Sequence, residues 1–152
     1  MDKPTVLIEA RPFCVFDDQP LKALQKQDID IIDMRGEGIE NSEFIKALSQ
    51  ADAVVCGNDL VVNEELLAAN PNIKVIAKMG AGLDTVDIKA ATAHDAIVFH
   101  TPGVNNQAVA DHTFALMLGC ARKTPTATGA CVTASGNIRK SWDSRSGKKP
   151  WA

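Results

Sequence analysis

Residues 73–101, IKVIAKMGAGLDTVDIKAATAHDAIVFHT, decide the fold. The stretch opens on an apolar, β-branched run and breaks at Gly80-Ala81-Gly82. It continues with apolar residues three or four apart, then closes on a second run, AIVFHT. Such runs read as strands, and the helical spacing between them reads as a short helix. Two strands joined through a helix are parallel neighbours, and their crossover is right-handed.

The same alternation reaches back to the start of the chain. TVLIEA (5–10), DIDII (28–32) and ADAVVCG (51–57) read as strands, and IKVIAKM (73–79) and AIVFHT (96–101) complete the set. PLKALQKQ, SEFIKALSQ, NEELLAAN and TVDIKAATAHD read as the helices between them. Pro20 can open the first helix, Ser42 and Asn63 can cap the next two, and Pro71 closes the third. Glu64 and Glu65 follow Asn63, where the helix dipole favours acids. The pattern predicts an α/β protein built on a doubly wound, five-stranded parallel sheet. The near-continuous apolar strands predict burial on both sheet faces.

The pattern changes after TPG (101–103). NNQAVADHTFALMLGCARK reads as a longer helix capped by Asn105 or Asn106. Val109, Thr113, Leu116 and Cys120 lie along one side of it, and Phe114, Met117 and Leu118 along another. A helix apolar over so much of its circumference needs cover from two directions. A weak helix over 126–135, followed by loop, is expected in the remainder.

Composition narrows the function. The chain has 152 residues, is 45% hydrophobic and carries a net charge of −3, which favours neither nucleic acid nor an anionic membrane surface. The basic stretch from Arg139 to Lys149 contains Asp143 and serines and reads as a solvated tail. No run approaches a membrane span, and the N-terminus does not read as a signal peptide. The four cysteines, Cys14, Cys56, Cys120 and Cys131, show no C-x-x-C spacing and no neighbouring histidine cluster. They read as buried or incidental thiols of a reducing compartment, so the cytoplasm is expected and no metal site is. Asp84 and Asp87 read as helix-start residues and not as a metal pair. His94, His100 and His112 read as surface or half-buried side chains, with no acid placed by the sequence to orient any of them.

The glycine loop invites comparison with a dinucleotide cradle, which needs three small residues and an acid about 20 positions on. Gly80 and Gly82 fill two positions, but Thr85 stands at the third, and the next strand ends in FHTPG with no carboxylate. Asp84, inside the loop, would repel a pyrophosphate unless engaged as the helix cap. The other Gly-x-Gly, GEG at 36–38, opens no convincing strand-to-helix turn. The dinucleotide reading of 80–85 therefore fails, and two readings remain. One is a plain tight turn with Asp84 as the helix cap. The other is a loop whose free N–H groups hold a single carboxylate at the carboxyl end of a central strand, where open α/β sheets bind ligands.

Residues 72–125 carry a family likeness: K-x-G-x-G-x-D-x-x-D (78–87), then Ala90-Ala91, a strand, T-P-G-x-N (101–105) and V-A-D-H (109–112). This ordered set resembles the D-isomer-specific 2-hydroxyacid dehydrogenases, in their phosphoglycerate-dehydrogenase-like branch. Weaker likeness at ARPF, ADAVVCGND and the closing W and GKK extends it over nearly the whole chain.

The resemblance implies a flavodoxin-like substrate domain over 1–103. Residues 104–152 would form a hinge, an interdomain helix and a tail leading towards a nucleotide-binding domain. It implies that Gly80, Ala81 and Gly82 hold the substrate carboxylate, with N–H groups of Ala81 and Gly82 as donors. Asn58 is expected beside the substrate, and Asn105 at the hinge by the cleft. Members that bind a phosphorylated acid carry Arg-Ser or similar where this chain has Gly57-Asn58, so an unphosphorylated 2-hydroxy or 2-keto acid is expected. The family's G-x-G-x-x-G and its catalytic Arg, Glu and His would lie beyond residue 152. The expectation is therefore a substrate-binding portion of an NAD- or NADP-dependent oxidoreductase that binds no cofactor alone and is inactive alone. Its expected partners are a small carboxylate, a nucleotide-binding domain or complementary chain, and a second copy through the 105–122 helix. The alternatives are a stand-alone carboxylate-binding or dimerising module, or a truncated product without function.

Overall fold

A computed structural model of the chain describes residues 3–124. The expected helix over 126–135, Cys131 and the basic stretch 139–149 lie outside the described residues. Strands and helices alternate: β1 (Thr5–Ile8), α1 (Gln19–Gln25), β2 (Asp30–Asp33), α2 (Ser42–Ser49), β3 (Ala53–Cys56), α3 (Glu64–Ala69), β4 (Val75–Lys78), α4 (Ile88–Ala93), β5 (Ile97–Phe99) and α5 (Asn106–Ala121). Among the described residues the five strands form one sheet in the order β2-β1-β3-β4-β5, every neighbouring pair parallel. The doubly wound parallel sheet expected from the sequence is the fold found. The chain divides into two compact units, Met1–Val104 and Asn105–Ala152.

Right-handed crossovers explain the layers. The chain steps one way from β1 to β2, then reverses and steps the other way from β2 through β5, so α1 lies on one face and α2, α3 and α4 on the other. The core is on the three-helix side. Phe44, Ala47 and Leu48 of α2, Leu67 of α3, and Ala90 and Ala91 of α4 pack on Leu7, Val54, Cys56 and Ile76 of the sheet. Each large side chain buried there contributes roughly 1.5–3 kcal/mol.

Burial on both faces is not what the structure shows. In β3 and β4, half-buried and fully buried residues alternate, and β5 exposes Ile97 and Phe99. On the α1 side only β1 is well covered, with Ile8 fully buried, and α1 itself buries no residue. Apolar composition permits double burial, but α1 alone is too small to provide it.

The helix ends correct two expectations and bear out a third. Asn41, and not Ser42, caps α2, its side chain accepting from Glu43 N. Asn63 caps α3 as expected, accepting from Leu66 N at 2.9 Å. Asp87, and not Asp84, caps α4, accepting from the N–H groups of Lys89 and Ala90. The reason is long-range. Val86 pairs with Val62 in an isolated parallel bridge, where Val62 N donates to Thr85 O at 2.8 Å and Asp87 N to Val62 O at 2.8 Å. This keeps the chain extended past Asp84 and delays the helix to Ile88. Pro20 sits in the first turn of α1, and Asn105 occupies the N-cap position of α5 without a side-chain capping bond. No residue of α5 is buried; Val109, Phe114, Leu116, Met117 and Leu118 are each more than half exposed.

Candidate functional site

Three neighbouring strands, β3, β4 and β5, end together, and the residues that follow them form the carboxyl edge of the sheet. Gly57-Asn58 follows β3, Gly80-Ala81-Gly82 follows β4 and His100 follows β5. The last paired positions of β3 and β4 are Cys56 and Lys78, and Met79 N still donates to Cys56 O at 2.9 Å. Asn58 and Gly80 thus lie two residues beyond one strand pair, on strands about 4.8 Å apart. Of the residues singled out from sequence, the fold brings Asn58 together with Gly80, Ala81 and Gly82. Asn105 begins the second unit.

The glycine loop is a set of unengaged donors. Among the described residues, the N–H groups of Gly80, Ala81 and Gly82 meet no protein acceptor, while Gly80 O accepts from Thr101 N at 3.0 Å. Gly80 has φ +144°, a conformation side chains rarely allow, and a Cβ there would meet open space. A Cβ on Gly82 would come within 2.9 Å of Asp84 Oδ2, so the Asp84 carboxylate folds back over Gly82. His100 fixes the middle of the loop. Its Nδ1 lies 3.0 Å from Ala81 O, and because a carbonyl only accepts, Nδ1 is the donor of that bond. Holding Ala81 C=O towards His100 turns the N–H of the same peptide, that of Gly82, the opposite way.

Beneath the loop lies a buried polar cluster that the sequence reading missed. Glu9, at the end of β1, is 3% exposed, and Lys78, at the end of β4, is 4% exposed. Glu9 Oε2 accepts from Gly57 N at 2.7 Å; Lys78 Nζ donates to Gly57 O at 2.5 Å and to Asn58 Oδ1 at 2.6 Å. One residue, Gly57, is therefore held from both sides by opposite charges. A Cβ there would lie 3.4 Å from Ala10 Cα and 3.5 Å from Glu9 Oε2, in ordinary contact with both. Each charge interrupts an otherwise apolar run, and that was the available signal: a lone charge in a buried strand needs a partner. Cys56 adjoins this cluster. Burial pushes its thiol up to about 11, with Lys78 opposing and Glu9 adding to the rise, so it is neutral and poorly nucleophilic at neutral pH.

Other candidate groups lie elsewhere or serve structure. His94 does have an acidic partner, contrary to expectation: its Nε2 is 2.9 Å from Glu64 Oε1, tying the end of α4 to the start of α3. His112 is exposed on α5. Arg11, after β1, pairs with Asp59 at 3.2 Å. No cluster of three or more metal-ligating side chains occurs among the described residues. A cleft of about 330 Å³ opens on the α1 side of the sheet, lined by Phe13, Val55, Ala77 and Phe99 and reaching the loop region at Met79 and His100. Its lining is predominantly apolar. No helix among the described residues is long and apolar enough to cross a membrane.

The sequence profile of the D-isomer specific 2-hydroxyacid dehydrogenase catalytic domain matches residues 12–145. The chain belongs to this family. It is 37% identical over 91 residues to the D-3-phosphoglycerate dehydrogenase of Mycobacterium tuberculosis H37Rv, covering 60% of this chain and 17% of that protein. The chain thus spans less than a fifth of the length of that curated relative. Among solved structures, the TT0316 protein of Thermus thermophilus superposes with a TM-score of 0.73 at 27% identity, covering 85% of this chain and 40% of that one. The D-lactate dehydrogenase of Aquifex aeolicus, solved with NAD and lactic acid, shares the fold with a TM-score of 0.67 at 21% identity, over 88% of this chain and 38% of its own. The five-stranded parallel unit is the α/β fold of these dehydrogenases.

Proposed function

We propose that the chain supplies the acid-binding part of an NAD- or NADP-dependent oxidoreductase acting on the CH–OH group of D-2-hydroxy acids. The carrying observation is the row of unengaged N–H groups at Gly80, Ala81 and Gly82 on the carboxyl edge of the sheet. A carboxylate accepts two or three such bonds, and donors fixed before the ligand arrives lose little entropy on binding it. Ala81 and Gly82 are the donors, Gly80 supplies the backbone bend, and Asn58 stands alongside.

The substrate class follows from charge. A phosphorylated acid carries a dianion that calls for a cation. Here Lys78 is buried and committed to Gly57 and Asn58, and Arg11 is paired with Asp59. An unphosphorylated 2-hydroxy or 2-keto acid therefore fits better than phosphoglycerate.

The loop does not fit a dinucleotide. Thr85 stands where the third small residue belongs, and the Asp84 carboxylate lies over Gly82, where a pyrophosphate would have to pass. The nicotinamide nucleotide, which supplies or accepts the hydride, belongs on a separate nucleotide-binding domain, and the chain alone neither binds it nor turns over substrate. Titration calorimetry of the full chain tests this reading. D-lactate is expected to bind saturably and NADH not at all; a one-to-one NADH complex, or no heat with any 2-hydroxy acid, refutes it.

A further inference from the structure

We propose that Lys78 is a positioning residue that sets the direction of the Asn58 amide, so that Asn58 donates to the 2-oxygen of the acid whose carboxylate the glycine loop holds. The proposal rests on the acid-binding reading of that loop. The ammonium of Lys78 carries three donors and no acceptor, so only the carbonyl oxygen of the Asn58 amide can face it. The 2.6 Å contact between Nζ and Oδ1 has that polarity. The Asn58 Nδ2 group is thereby turned away from the buried cluster, and it meets no protein acceptor among the described residues. Without Lys78 the amide could flip and present either an acceptor or a donor. With it, Asn58 is a donor only.

The ammonium is itself held in place. Lys78 is 4% exposed and also donates to Gly57 O at 2.5 Å, while Glu9 accepts from Gly57 N at 2.7 Å. Glu9 and Lys78 thus fix the residue preceding Asn58 as well as its side chain. The two donors of Nδ2 belong to the residue two positions past Cys56, as Gly80 lies two positions past its partner Lys78, so both stand at the same edge of the sheet. A ligand that spends its carboxylate on the loop and carries another oxygen one carbon away matches that pair of donor sets. A 2-hydroxy oxygen accepts through its lone pairs, and a 2-keto oxygen does so equally. A plain aliphatic acid offers nothing to Asn58. The arrangement therefore selects 2-oxygenated acids over simple carboxylic acids.

The test compares D-lactate with propionate, which differ by that one oxygen, on the 15N-labelled full chain by two-dimensional NMR. With D-lactate the backbone amides of Ala81 and Gly82 and the side-chain NH₂ pair of Asn58 are expected to shift together, with one dissociation constant. With propionate only Ala81 and Gly82 should move, and affinity should fall about tenfold, the loss of one hydrogen bond. Lys78→Met, which frees the amide to turn either way, is expected to weaken the Asn58 NH₂ response to D-lactate and to lower affinity by up to about tenfold, with Ala81 and Gly82 still responding; Lys78→Arg, which retains donors, should restore it. Should Lys78→Met fail to fold, Asn58→Asp, which keeps the acceptor towards Lys78 and removes the donors, should bind D-lactate and propionate equally, the added charge weakening both alike. An Asn58 pair that ignores D-lactate, or answers propionate equally, overturns the proposal while leaving the loop assignment standing. So does a folded Lys78→Met variant with unchanged affinity and Asn58 shifts. Silence at Ala81 and Gly82 with both acids instead defeats the underlying loop reading.

Discussion

Replacing either glycine of the loop by alanine adds the same methyl group, yet the structure predicts opposite outcomes. Gly80 has φ +144°, and nothing lies within 4 Å of the position a Cβ would take, so any penalty is purely conformational. Forcing an L-residue into that region costs about 1–3 kcal/mol, offset by about 0.4–1 kcal/mol because alanine restricts the unfolded chain. Gly80→Ala should therefore destabilise by about 1–2 kcal/mol. At Gly82 the added methyl meets only the far end of the Asp84 side chain at 2.9 Å, which can rotate aside. Gly82→Ala should then be neutral, or stabilising by up to about 1 kcal/mol. With each kcal/mol worth about 4–8 °C for a unit of roughly this size, Gly80→Ala should melt at least several degrees below Gly82→Ala. Far-ultraviolet circular dichroism during thermal unfolding, supported by urea titration, measures the difference. Equal midpoints, or the reverse order, would refute the account of the loop backbone.

Asp87→Ala should cost about 1–2 kcal/mol in urea unfolding, since Asp87 accepts from Lys89 and Ala90, whereas Asp84→Ala should cost less than about 0.5 kcal/mol. Asp84→Asn removes a negative charge from above Gly82 and should tighten D-lactate binding by about fivefold in calorimetry, as about 1 kcal/mol of screened repulsion disappears. Cys56, buried and with its thiol raised to about 11, should resist iodoacetamide at pH 7.5 until the chain unfolds, while exposed Cys120 reacts at once; mass spectrometry of the peptides decides. Arg35 hydrogen-bonds Asp33 and holds its carboxyl below the ordinary 3.8, so the stabilisation is present above that value and is lost as pH falls through the depressed one. The stability difference between the wild type and Asp33→Asn should accordingly be seen at neutral pH and close in strong acid. If α5 pairs two copies through its exposed face, Leu116→Glu should abolish dimers in sedimentation equilibrium; a wild type that stays monomeric at high concentration counts against that pairing.

The sheet was legible because its signal is local: each strand is a short apolar run, and each crossover carries a helical spacing. The misses arose where distant chain decides. Asn41 and Ser42 are both good caps standing side by side, and so are Asp84 and Asp87 within one turn of chain. The choice at α4 was made by pairing of Val86 with Val62, which no local pattern near residue 85 announces. Burial of the second sheet face depends on what lies over it, and an apolar strand such as Ala53–Cys56 reads the same whether its outer side is covered or not. The candidate site was half legible. The glycines and Asn58 could be named from motif and strand end. The Glu9–Gly57–Lys78 cluster joins three strands, and the contact from His100 to Ala81 joins two strand ends, so neither has a local trace beyond a charge or imidazole where an apolar residue would otherwise stand.

A crystal structure of the full chain grown with D-lactate measures the central quantity, the distance from the N atoms of Ala81 and Gly82 to the ligand carboxylate. Oxygens about 2.7–3.0 Å from both nitrogens, with the 2-hydroxyl turned towards Asn58, are the predicted result. A lactate seated anywhere else while those two amides remain hydrated would contradict it.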